Sequence, residues 1–148
     1  MQEIPVQKFR QILRNFEREL NTQNQSGCCC GVSITQCHTL MALDQKDNIT
    51  LNELAELVCL DKSTVSRTVD TLVKSGLIDR TIPESNRRTT LITLTQKGKE
   101  ECHTINSGNN RYYRQVLAAL PPDLLDPFLK GFEMLANAMS LQNDSTRS

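Results

Sequence analysis

The chain has 148 residues, with 17 Lys plus Arg against 17 Asp plus Glu and a formal net charge of +0 at pH 7. That length suits one domain with an ordinary core and leaves no room for a large catalytic module, while the even charge balance gives no global attraction to an acidic partner. No apolar run approaches the roughly 20 residues of a membrane span, the amino terminus lacks a basic-then-apolar signal pattern, and the chain reads as cytoplasmic.

Val6, Phe9, Leu13, Phe16 and Leu20 recur at helical spacing with Arg10, Arg14, Glu17 and Arg18 between them, which predicts an amphipathic helix with a narrow seam. Asn21 to Gly27 is polar and reads as a loop, leading into Cys28, Cys29 and Cys30. Ser33-Ile34-Thr35-Gln36 has the form of a capping box, and the helix it starts turns Ile34, Cys37, Leu40 and Met41 to one face. Asp44 to Asn48 interrupts the pattern. Thr50-Leu51-Asn52-Glu53 is a second capping box, opening a helix with Leu54, Leu57 and Val58 inward. Asp61 is placed to cap a third helix, whose buried stripe is Val65, Val69, Leu72 and Val73. Gly76 ends it in the left-handed conformation.

Leu77-Ile78-Asp79-Arg80 and Leu91-Ile92-Thr93-Leu94 are short strands around a polar, proline-containing loop, as a hairpin requires. A long helix is expected from Thr95, with a bend or fraying at the weak helix formers Asn106 to Asn110. After Pro121-Pro122 the last helix repeats the narrow seam at Leu125, Phe128, Phe132, Leu135 and Met139. Two seamed helices at the chain ends carry more apolar surface than one small monomer covers, which predicts subunit association, with packing of the two helices on each other inside one subunit as the alternative. The fold class read from this order is mostly α with a small β-wing: a winged helix-turn-helix with terminal dimerisation helices.

The segment from Lys62 to Thr90 is locally basic, with Lys62, Arg67, Lys74, Arg80, Arg87 and Arg88 against Asp70, Asp79 and Glu84, so a neutral protein still has a candidate basic face. Arg forks onto guanine acceptors, Ser and Thr bond bases or phosphates, and a helix amino terminus favours a phosphate. Arg87 and Arg88 sit at the hairpin tip, where guanidinium groups suit a narrow minor groove. The candidate contacts to a double-stranded DNA operator are Lys62, Ser63, Thr64, Ser66, Arg67, Arg87 and Arg88. Nothing supplies a nucleophile with its base, a phosphate-binding glycine loop or paired carboxylates, so the chain does not read as an enzyme.

Thr64-Val65-Ser66-Arg67, Leu72-Val73-Lys74-Ser75-Gly76-Leu77-Ile78-Asp79-Arg80, Arg87-Arg88, Leu91-Ile92-Thr93-Leu94-Thr95 and Lys97-Gly98 follow in order, and in this the chain resembles the MarR family of winged-helix transcriptional regulators. The resemblance implies a single MarR-like domain over 1–148, with a DNA-binding lobe at about 33–98 and dimerisation helices at about 4–20 and 99–140. It further implies a homodimer on a pseudo-palindromic operator, an effector site near the junction with the DNA-binding lobes, and Arg88 as the minor-groove residue. The family usually has Asp two residues before that arginine, where this chain has Asn86. Asn cannot form the ion pair, so the wing is expected to be softer, with Arg87 or Glu84 sharing the orienting role.

The other unusual set is Cys28, Cys29, Cys30, Cys37, His38, Cys102 and His103. Thiolates with imidazoles suit zinc, copper(I) or arsenic(III), and oxidation or alkylation of a low-pKa thiol is a second sensing chemistry. Against this, Cys37 falls on an apolar stripe and Cys59 follows Val58, so both read as small core residues. DNA binding itself requires no cofactor. The leading expectation is a dimeric regulator, a repressor released by a small effector or by thiol or metal chemistry. The competing readings are a winged-helix protein-interaction module and a thiol-rich metal-binding protein with no DNA role.

Overall fold

The computed structural model describes residues 4–27 and 32–147. In chain order the elements are α1 (Val6–Gly27), α2 (Ile34–Gln45), β1 (Ile49–Thr50), α3 (Leu51–Val58), α4 (Lys62–Lys74), β2 (Ile78–Thr81), β3 (Leu91–Leu94), α5 (Gln96–Ala118) and α6 (Pro122–Arg147). Two compact units, Met1–Asn106 and Ser107–Ser148, divide the chain within α5.

In the first unit, side chains that satisfy free backbone amides start three successive helices. Ser33 Oγ accepts from Gln36 N at 3.2 Å while Gln36 Oε1 accepts from Ser33 N at 3.0 Å. Thr50 and Glu53 repeat the reciprocal pair at the start of α3. Asp61 caps α4 through Thr64 N at 2.9 Å. Each such cap stabilises by about 1 kcal/mol relative to alanine, and together they fix where α2, α3 and α4 begin. Leu40 and Leu43 of α2, Leu54 of α3, and Val65, Val69 and Leu72 of α4 are almost wholly buried together with Ile78 and Ile92 of the sheet. The inward face of α3 is Leu54 and Ala55, with Leu57 exposed, because a helix of eight residues turns only a little over twice and offers one short stripe to the core.

The sheet is antiparallel in the order β1-β3-β2, with Ile78 opposite Leu94, Arg80 opposite Ile92 and Ile49 opposite Ile92. Strand β1 is too short to leave an alternating pattern in the sequence. It is held in place by Asp47, whose Oδ1 accepts from Asn48 N at 2.9 Å and from Leu94 N at 3.0 Å. The start of α5 is clamped against the turn after α4: Thr95 Oγ1 donates to Gly76 O at 2.6 Å and accepts from Gly98 N at 2.9 Å. Lys97 Nζ reaches Ser75 O at 3.0 Å. Gly76 has φ +74, the left-handed turn expected of it.

Helix α1 continues through the polar stretch expected to be a loop and ends at Gly27. Adding residues to an existing helix needs no new nucleus, and Thr22 Oγ1 bonds back to Arg18 O at 3.0 Å. Val6, Phe9 and Phe16 on this helix are exposed. In the second unit, Phe128 and Phe132 of α6 stack with ring centroids 5.8 Å apart. Both rings, with Leu124, Leu129 and Met139, remain exposed. Helix α5 runs unbroken from Gln96 to Ala118; five weak helix formers inside a long helix cost too little to stop it.

Candidate nucleic-acid interface

Helices α3 and α4 form a helix-turn-helix whose turn is unusually explicit. Cys59 closes α3 in the left-handed region at φ 55, and Cys59 N and Leu60 N donate to Glu56 O and Ala55 O at 3.3 and 3.2 Å. Two residues later Asp61 opens α4. The left-handed geometry turns the Cys59 side chain outward, so this cysteine is exposed rather than part of the core.

The buried stripe Val65, Val69 and Leu72 fixes the rotation of α4. Lys62, Ser63 and Arg67 are therefore exposed, with Thr64 and Ser66 half-buried beside them. Arg67 Nε donates to Ser63 O at 3.3 Å, which steadies the side chain while leaving its terminal amino groups for a partner. Asp61 receives the Ser63 and Thr64 hydroxyl protons and the Thr64 N–H. These hydrogen bonds, first from Ser63 and then from Thr64, hold its carboxyl below the ordinary carboxylate range.

The wing is the loop between β2 and β3. Asn86 N donates to Pro83 O, Thr89 N to Asn86 O and Arg88 N to the Asn86 side-chain oxygen, each at 3.2 Å. Asn86 thus supports the wing by capping its backbone, a role that needs an acceptor and not a charge. Arg87 and Arg88 are exposed. Among the described residues the ion pairs are Arg18–Glu19 and Arg80–Asp70, so neither wing guanidinium has a carboxylate partner. The Arg80–Asp70 pair joins β2 to α4. Such a half-exposed pair stabilises by at most about 1 kcal/mol; its main effect is geometric, tying the root of the wing to the helix and neutralising that helix's one carboxylate.

The thiols lie elsewhere. Cys37 and Cys102 are buried in the core of the first unit, and Cys102 Sγ donates to Leu40 O at 3.5 Å. Burial, with the charge of Asp44 adding to it, pushes the Cys102 thiol up to about 11. The unfolded thiol, near 9.0, ionises first, so the folded state retains its proton while the unfolded state loses one, and stability falls as pH rises between those values. The urea midpoint is expected to fall between pH 9 and pH 11, and Cys102→Ala to flatten that fall; an equal fall in the variant contradicts it. His38 lines a pocket of about 260 Å³ with Met41, Ala42, Gln45, Leu57 and Val58, and His103 is exposed. No three His, Cys, Asp or Glu side chains among the described residues are grouped to hold a metal ion. Cys28, Cys29 and Cys30 lie outside the described residues.

Residues 32–90 match the family model described as "MarR family". The HTH-type transcriptional regulator YdgJ of Bacillus subtilis (strain 168) is 28% identical over 90 residues, 61% of this chain and 55% of that protein. The chain's match therefore spans about half the length of that relative. Among solved structures, a MarR family protein from Bacillus stearothermophilus superposes with TM-score 0.81 at 22% identity, covering 95% of this chain and 99% of that one. Streptococcus pneumoniae FabT, solved in complex with DNA, superposes with TM-score 0.79 at 18% identity, over 91% and 97% of the two chains. Those two likenesses bear on the fold, and the matched segment, residues 32–90, carries the helix-turn-helix and the wing arginines and is similar to the MarR family.

Proposed function

We propose that the chain is one half of a homodimeric DNA-binding regulator, with α4 in the major groove and the wing arginines in the adjacent minor groove. The observation that carries this reading is the presence, in one unit, of exposed Lys62, Ser63 and Arg67 on α4 and of two wing guanidinium groups that have no carboxylate partner among the described residues. Such arginines need break no ion pair to reach the DNA. FabT, of similar fold, has been solved in complex with DNA, which supports the same partner. The exposed apolar rows of α1 and α6 support dimerisation, since patches of this kind mark association surfaces. In this reading the protein is a repressor, and an effector or thiol chemistry releases it by favouring a spacing of the two recognition helices that does not fit the operator.

Fluorescence anisotropy on a duplex from the region upstream of its own gene tests the proposal, with random duplex as competitor. Specific binding at least about a thousandfold tighter than to random sequence is expected. No preference over random duplex overturns it.

A further inference from the structure

We infer that Asp61 is a specificity-determining residue of the recognition helix: it holds the hydroxyl protons of Ser63 and Thr64 and so presents both side chains to a base edge as acceptors. The inference rests on the reading of α4 as the DNA-facing helix and deepens it. The geometry is reciprocal. Asp61 Oδ2 accepts from Thr64 N at 2.9 Å and from the Ser63 hydroxyl, and Oδ1 accepts from Thr64 Oγ1 at 2.7 Å. A carboxylate has no proton to give, so both hydroxyls must be the donors in these bonds. Each hydroxyl has only one proton. With that proton committed, the outward side of each oxygen carries lone pairs alone.

The consequence for recognition is a change in what these residues are able to read. Serine and threonine ordinarily bond any base or a phosphate because the hydroxyl rotates between donating and accepting. Fixed as acceptors, Ser63 and Thr64 complement the exocyclic amino groups of adenine and cytosine in the major groove. They do not complement guanine N7 and O6, thymine O4 or phosphate oxygens, all of which need a donor. Arg67 lies one turn on from Ser63 and Thr64 and supplies a donor beside them, with Lys62 at the helix start, so the helix separates its roles: cations take the acceptors and the hydroxyls take the amino groups.

Selection of binding sites from randomised duplexes tests this with the full chain and with Asp61→Asn, Ser63→Ala and Thr64→Ala. The wild-type protein should enrich adenine or cytosine over guanine or thymine by about three- to tenfold at the positions the two hydroxyls face. Each alanine variant should lose the preference at its own position. Asn caps a helix as well as Asp, so Asp61→Asn should fold with an unchanged melting temperature. Its carboxamide oxygen must stay on Thr64 N–H, which puts the amide nitrogen against the Thr64 hydroxyl and frees that proton. The Thr64 position should then admit guanine or thymine while the Ser63 position stays as it was. The same base set for Asp61→Asn and wild type overturns the inference, as do alanine variants without effect or a wild-type preference for guanine or thymine at those positions. A wild-type protein that selects no sequence at all defeats the DNA-binding reading itself, and is distinguished from those outcomes because it appears before any variant is compared.

Discussion

Replacing Arg87 and Arg88 together with alanine is expected to weaken binding to specific duplex by about one hundredfold, roughly tenfold for each guanidinium removed. It should also lower the slope of log affinity against log salt by about 2, because two cations fewer displace condensed counterions. The fold should not change. The wing loop is built from backbone bonds among Pro83, Asn86 and Thr89 and from the bond of Arg88 N to the Asn86 side chain, and among the described residues neither arginine side chain is tied into it by an ion pair. An anisotropy titration from about 50 to 200 mM salt, run beside a thermal melt, separates the two effects. A parallel shift of the binding curves with an unaltered slope contradicts wing arginines that lie in the minor groove and displace counterions there.

Gly98→Ala is expected to destabilise the protein by about 3 kcal/mol, in a direction opposite to helix propensity. Alanine is the better helix former by about 1 kcal/mol, yet a Cβ at this position would lie 2.0 Å from Leu77 O and 3.2 Å from Leu94 Cδ2. The first of these neighbours is backbone, held in place because Leu77 O accepts from Thr95 N at 3.1 Å. Relief therefore requires moving α5 away from the turn between α4 and β2, and overpacking of that kind outweighs the propensity gain. The melting temperature should fall by roughly 10 °C. Gly76→Ala makes the informative contrast: nothing lies within 4 Å of its Cβ, so its cost is the positive φ alone, about 1 kcal/mol. Equal melting temperatures for Gly98→Ala and wild type would contradict the packing described for this junction.

Much of the first unit is legible in the sequence because its signals are local. The capping residues Ser33, Thr50 and Asp61 bond within three residues of themselves, and the stripe Val65, Val69 and Leu72 follows from helical period. Gly76 follows from the conformation that only glycine adopts freely. What escapes the sequence depends on partners distant along the chain. Strand β1 exists because Ile49 and Thr50 meet β3, and the support for its start comes from Asp47 to Leu94 N. The requirement for Gly98 comes from the Leu77 carbonyl, and no periodicity announces it.

The candidate interface divides along the same line. Which residues α4 exposes follows from its buried stripe, and Arg87 and Arg88 are plain in the sequence. The direction of the hydrogen bonds onto Asp61 is not, since Ser and Thr donate or accept equally well until a partner is fixed. For the wing, the sequence marks Asn86 as a missing charge, whereas the structure gives it to the Arg88 backbone amide, a bond that Asn makes as well as Asp. Cys59 reads as apolar because it follows Val58; its left-handed backbone at φ 55 sends it to the surface.

Footprinting on the region upstream of its own gene distinguishes a symmetric reader of duplex DNA from a single-site one. Two protected half-sites related by a two-fold axis are expected, with centres about 10 base pairs or a multiple of that apart, and both should be lost together when Arg67 is replaced by alanine. Protection of one isolated half-site, or of none at protein concentrations that saturate random duplex, would contradict the symmetric reader.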